Sequence, residues 1–191
     1  MSYYLQKYAN HESRFLVIDG SLIHYRDEGA GQPILMLHGA FSSLHTFEYW
    51  KDILIKKGFR VVRMDLPGFG LTGSRHDQDY SIPTYCHVIQ SFLKILNIEQ
   101  CHIAGNSLGG WLAWELALRS PELIDRRVLI SAAGFLDDRS IPLPFKMAKT
   151  PFVNRVIKYA VKRNMLEQFV REVYGDKSKI PTELIVRSFD L

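Results

Sequence analysis

The chain has 191 residues, 47% of them hydrophobic and 23% charged, which is within the range of one ordinary globular domain with a real core. It has no run of about 18 apolar residues and no apolar stretch at residues 1–15, so neither a spanning helix nor a secretory signal is expected. The net charge of +4 is too mild to argue for a nucleic-acid partner. Residues 1–135 are balanced at 13 Lys/Arg and 13 Asp/Glu, whereas residues 136–191 hold 11 and 7, which marks a shift in composition near residue 136. Cys86 and Cys101 make neither a disulfide framework nor a metal pattern and read as small buried hydrophobes in a reducing cytoplasm. No metal and no cofactor is expected.

In chain order, Phe15–Ile18 and Leu22–Tyr25 flank the turn dipeptide Asp19-Gly20 and predict a β-hairpin. A second turn spans Gly29–Gln32, and Pro33–Leu37 is a continuous apolar run, as in a strand buried on both faces. Leu44, Phe47, Trp50 and Leu54 recur at helical spacing up to a stop at Gly58. Phe59–Met64 predicts a strand and Asp65–Gly73 a glycine-rich loop. Ser81 caps a helix with Pro83 in its first turn and Tyr85, Val88, Ile89, Phe92 and Leu96 on its apolar face. Cys101–Ala104 is a strand, Ser107–Arg119 a helix and Arg127–Ile130 a further strand. Strand and helix alternate, which predicts a mostly parallel sheet with helices on both faces. Chemistry in such sheets sits at the C-terminal strand ends, here His38-Gly39, Asp65, Ser107 and Ser131.

Beyond residue 136 the pattern changes. Ile141–Pro144 breaks regular structure, Pro151–Asn164 reads as a basic amphipathic helix, and Thr182–Leu191 as the start of another. The basic helix is expected to pack its apolar side rather than lie on a membrane surface. Asp137 and Asp138 are expected to be solvated loop residues.

Gly105-Asn106-Ser107-Leu108-Gly109-Gly110 matches G-x-S-x-G, the nucleophile elbow. A serine on a sharp strand-to-helix turn projects its hydroxyl out of the sheet. Gly105 and Gly109 are small because strand and helix nearly touch there. The helix N-terminus supplies N–H groups for a developing oxyanion. Leu108 is one expected donor. The other comes from the loop His38-Gly39-Ala40-Phe41, with Ala40 as first choice and Phe41 as the alternative. The His38 side chain is expected to pack under its loop rather than act as a base. Asp65 is expected to bond nearby backbone. His45, His76, His87 and His102 show no ligand spacing and read as surface or core residues.

His38–Phe41, Arg63–Gly73 and Gly105–Gly110 together resemble the α/β-hydrolase superfamily, in its cap-bearing branch of esterases, lipases and carbon–carbon bond hydrolases. The resemblance implies a core over residues 1–135 and a partial helical cap over residues 136–191. Serine at the elbow implies acyl chemistry rather than the aspartate-based chemistry of dehalogenases and epoxide hydrolases, with cofactor-free peroxidase activity a further option. The substrate implied is a small molecule with an acyl carbonyl and an apolar portion. The family order is Ser, then Asp or Glu, then His, yet no histidine follows His102. The first reading is therefore a serine hydrolase, inactive by itself, whose acid and base lie beyond residue 191 or on a second chain. Without further strands, Val128–Ile130 would form an exposed apolar edge. The second reading is a non-catalytic fragment or a ligand- or partner-binding protein that keeps the elbow as a relic.

Overall fold

A computed structural model describes residues 3–135, 167, 168, 170, 171, 176, 178 and 180–191. The expected helix over Pro151–Asn164, the break at Ile141–Pro144 and the pair Asp137 and Asp138 lie outside the described residues. Two compact units are present, Met1–Gly134 with Leu191, and Phe135–Asp190.

The first unit runs α1 (Tyr3–Tyr8), β1 (Arg14–Ile18), β2 (Ser21–Gly29), β3 (Gln32–Leu37), a 3-10 turn (Leu44–Phe47), α2 (Glu48–Lys56), β4 (Phe59–Met64), α3 (Ile82–Ile95), β5 (Cys101–Asn106), α4 (Leu108–Arg119) and β6 (Ile124–Ile130). The sheet order is β1-β2-β4-β3-β5-β6. The β1–β2 and β2–β4 pairs are antiparallel, and β4, β3, β5 and β6 are mutually parallel. This is the α/β architecture expected, an N-terminal hairpin on a mostly parallel sheet. In the second unit α5 (Thr182–Asp190) buries Ile185, while Phe189 is half-exposed. Among the described residues no helix is long and apolar enough to cross a membrane.

Side-chain alternation divides the core into two layers. Leu35, Leu37, Val62, Met64 and Ile103 face α3 and α4, where Val88, Ile89, Phe92, Leu112 and Leu116 are buried. Ile34, Met36, Val61 and Ala104 face the other side with Phe47 and Leu54. Helix α3 starts at Ser81, whose Oγ accepts from the Thr84 N–H, with proline in the first turn. Such a cap is worth about 1 kcal/mol.

The expected helix over residues 44–54 is split. Leu44 and Phe47 are buried in the 3-10 turn, whereas α2 buries no residue fully and leaves Tyr49, Trp50 and Ile53 exposed. The reason is the sheet surface beneath α2, which is charged. Arg26 on β2 stands directly opposite Arg63 on β4, a repulsive cross-strand pair. Glutamates offset it. Arg63 Nη2 donates to Glu28 Oε2 at 2.5 Å and Nη1 to Glu48 Oε2 at 2.8 Å. Arg26 Nη1 reaches Glu48 Oε2 at 3.2 Å, and Lys51 Nζ lies 3.1 Å from Glu28 and 3.5 Å from Glu12. Three cations and three carboxylates thus balance under α2.

Candidate active site

The chain turns its course at β3. The connection from β3 through α2 leaves to β4 on one side, and β5 returns on the other. The loops after β3 and β5 therefore meet at a topological switch point, the usual crevice of an open α/β sheet.

Ser107 sits there, between the last residue of β5 and the first of α4, with φ +51° and ψ −111°. Its backbone is fixed on both sides. The Ser107 N–H donates to the Ile130 carbonyl at 3.0 Å, and the Ser107 carbonyl accepts from Trp111 and Ala133, each at 3.0 Å. Asn106 Nδ2 reaches the same Ile130 carbonyl at 3.4 Å. A Cβ on Gly105 would lie 2.1 Å from the Gly109 carbonyl oxygen, and one on Gly109 would lie 2.1 Å from that of Leu37. On Gly110 it would meet the Ala132 Cβ at 2.7 Å. Three strand ends, two loops and a helix start thus converge at backbone contact around one serine.

The loop after β3 closes on this turn. A Cβ on Gly39 would come 3.2 Å from Ser107 Cβ and 2.9 Å from Asn106 Oδ1. Ala40, which follows it, is half-buried, and Phe41 is exposed with φ +57°. The N–H of Leu108 opens helix α4 and so has no acceptor within the helix. His38 is fully buried. Its Nδ1–H donates to the Gly39 carbonyl at 2.7 Å, and its Nε2 accepts from the Leu66 N–H at 3.0 Å. Burial pulls its pKa below the ordinary value, against the opposing influence of Asp65 and the Gly39 carbonyl. With both ring nitrogens engaged, His38 braces the loop.

Phe41, Ser107 and Ser131 all have positive φ without being glycine. They follow β3, β5 and β6, three adjacent strands. Strained backbone gathered at one sheet end costs stability and persists where surroundings over-determine it, a pattern of functional sites.

All seven histidines lie among the described residues, and none bonds Ser107 Oγ. His24 bonds Asp65 and Ser13, and His45 bonds Ser43 and Arg26. His87 pairs with Asp19 and His102 with Asp125. His76 lies near Gly20, and His11 is exposed. No group of three or more His, Cys, Asp or Glu side chains among the described residues could hold a metal ion.

Asp65, at the end of β4, is fully buried and more heavily engaged than its turn sequence suggests. It accepts from the N–H groups of Leu44 at 2.7 Å and Leu71 at 2.8 Å and pairs with His24 Nδ1 at 2.7 Å. Burial alone would raise its pKa. The His24 hydrogen bond, the electrostatic influence of the neighbouring His38 and His24 rings and the Leu44 N–H outweigh it and hold the carboxyl below the usual range. The His24 partnership has no sequence signal, because the two residues are 41 positions apart.

A switch-point serine on a glycine-lined strand-to-helix turn, faced by the loop after β3, defines the architecture of an α/β hydrolase. The sequence profile of the alpha/beta hydrolase fold matches residues 32–173, and the chain belongs to that family. It is 33% identical over 123 residues to the 2-hydroxymuconate semialdehyde hydrolase of Pseudomonas sp. strain CF600, covering 63% of this chain and 44% of that one. The solved meta-cleavage product hydrolase from Pseudomonas fluorescens IP01 is 30% identical, with a TM-score of 0.70 over 95% of this chain and 64% of its own. Cfl2 from Burkholderia cenocepacia, 22% identical, shares the fold with a TM-score of 0.83 over 93% of this chain and 64% of its own. The chain therefore spans less than two thirds of each of these relatives.

Proposed function

We propose that the chain is the nucleophile-bearing part of a serine hydrolase that acts on an acyl carbonyl. The observation that carries this reading is Ser107 in a strained conformation, held by close glycine contacts at the switch point. Ser107 Oγ attacks the carbonyl carbon, and its proton passes to an imidazole. The N–H groups of Leu108 and Ala40, or Phe41, stabilise the oxyanion. The leaving group departs with a proton, and water then cleaves the acyl-enzyme. The seven histidines have other partners or positions, so the imidazole and its carboxylate come from outside these 191 residues, on a following segment or a second chain. The greater length of the relatives supports this.

For the substrate, two bacterial relatives named as 2-hydroxy-6-oxo-dienoate hydrolases, 27% and 28% identical to this chain, favour an oxo-dienoate-type carbonyl compound with an apolar portion over a simple ester. The second reading, a binding protein with an unpowered elbow, draws on the same absence of a base. To separate them, this chain is joined at its C-terminus to the part of the Pseudomonas fluorescens hydrolase that it does not span. Hydrolysis of an activated ester and of an oxo-dienoate is then measured. Turnover that disappears on Ser107→Ala supports the hydrolase; turnover that survives Ser107→Ala, or a folded fusion with none, contradicts it.

A further inference from the structure

A second serine stands in line with a histidine and an aspartate, away from Ser107. Ser13, in the turn before β1, places its Oγ 2.9 Å from His24 Nε2. His24 Nδ1 lies 2.7 Å from Asp65 Oδ2. His24 and Asp65 are fully buried, whereas Ser13 is half-buried and reaches the surface. Ser13 precedes β1, four strand intervals or about 19 Å from β5 and the elbow, whereas His24 on β2 and Asp65 at the end of β4 stand three and two intervals from β5.

The order of contacts is that of a relay. The Asp65 carboxylate, fixed by the Leu44 and Leu71 N–H groups, accepts a hydrogen bond from Nδ1–H and sets the tautomer of the ring. Nε2 of the neutral ring is then an acceptor. Ser13 Oγ has two neighbours that can take its proton, Nε2 at 2.9 Å and Asn10 Oδ1 at 3.4 Å, and Nε2 is the nearer. The Asn10 N–H donates to a lone pair of the same oxygen at 3.1 Å and fixes the rotamer. The Phe15 ring covers the imidazole, with centroids 5.0 Å apart.

We infer that Ser13, His24 and Asp65 form a second serine–histidine–aspartate relay, and that Ser13 Oγ is a site of covalent capture for activated acyl and phosphonyl donors. In the capture step Oγ bonds to the acyl carbon or the phosphorus. The proton moves from Oγ to His24 Nε2, and the leaving group departs with the electron pair of its former bond. The Ser13 N–H already donates to the Asn10 carbonyl at 3.0 Å, so no oxyanion donor exists at this residue comparable to the N–H of Leu108. The adduct therefore accumulates stoichiometrically and does not turn over.

The test is independent of Ser107, because it is run on the Ser107→Ala chain with an alkyl fluorophosphonate, read by intact mass and peptide mapping. Here P–O forms and P–F breaks, with release of fluoride. One label at Ser13 is expected, absent in Ser107→Ala/Ser13→Ala and slowed roughly a hundredfold by His24→Gln, the usual scale of a lost general base. Exposed Ser74 is an internal standard in the same molecule. If His24→Gln does not fold, the comparison of Ser13 with Ser74 decides. A folded chain with no label at Ser13, labelling of Ser13 no faster than of Ser74, or a rate indifferent to a folded His24→Gln would each overturn the relay and leave a structural clasp.

Discussion

Gly105→Ala tests the elbow where it is tightest. The added Cβ would stand 2.1 Å from the Gly109 carbonyl oxygen, 2.3 Å from its carbon and 2.6 Å from the Gly110 nitrogen, all backbone atoms. Ordinary contact begins at 3.4 Å, so strand and helix must part by more than 1 Å. Helix α4 is hemmed in on its far side too, since Gly109 abuts Leu37 and Gly110 abuts Ala132. Overpacking of this kind costs about 1–3 kcal/mol. Loss of the Ser107–Ile130 and Ala133–Ser107 hydrogen bonds adds about 1 kcal/mol each. The sum, about 3–5 kcal/mol, lowers the melting temperature by roughly 6–20 °C for a chain of this size. Gly58→Ala is the control. Its φ is +82°, yet nothing lies within 4 Å of an added Cβ, so only the conformational penalty of about 1–2 kcal/mol applies. Thermal unfolding followed by circular dichroism compares the two. If Gly105→Ala melts no lower than Gly58→Ala, the close approach of β5 and α4 is not what holds the elbow.

Arg63→Met removes the central cation beneath α2 and leaves Lys51 and Arg26 alone to offset Glu28 and Glu48. The expected loss is about 3–5 kcal/mol in denaturant unfolding, as for breaking a buried pair. Glu12, Glu48 and Asp65 are all held below the ordinary carboxylate range against the opposing cost of burial. Their contribution is therefore fully present above a pH of about 4 and is lost as pH falls through the depressed folded values. Melting scans across that range should show the loss, and Glu48→Gln should make it smaller. Burial pushes the Cys86 thiol up to about 11 and the Cys101 thiol up to about 12. A disulfide reagent at about pH 8 should find neither in the native chain and both after denaturation. Val128 and Leu129 are 48% and 39% exposed on β6, the edge of the sheet formed by the described residues. Val128→Lys should reduce concentration-dependent self-association in size-exclusion chromatography, as charge does on other sheet edges.

Much of the fold could be read from local signals. The apolar runs at 33–37, 59–64 and 101–104 are strands, and Ser81 with Pro83 does start a helix. The G-x-S-x-G spacing puts small residues at the positions where backbone meets backbone. What stayed hidden depends on partners distant in sequence. Arg26 and Arg63 read as ordinary strand charges, and nothing local tells that they face each other beneath α2. The exposure of Trp50 follows from that charged floor, which the helical spacing of Leu44, Phe47, Trp50 and Leu54 does not reveal. Asp65 looks like a turn residue because the histidine it holds lies on another strand. The start of β6 at Ile124, three residues before the expected Arg127, is masked by Asp125 and Arg126, polar residues that an edge strand tolerates.

A nucleophilic Ser107 whose base comes from outside the 191 residues should react only when that base is supplied. Organophosphate labelling is mapped to the peptide containing Ser107, on the chain alone and on the chain joined to the part of the Pseudomonas fluorescens hydrolase that it does not span, both shown to be folded. Ser107 should stay unlabelled in the first and be labelled in the second. Equal labelling of Ser107 in the chain alone, or none in the folded extended form, would contradict this reading.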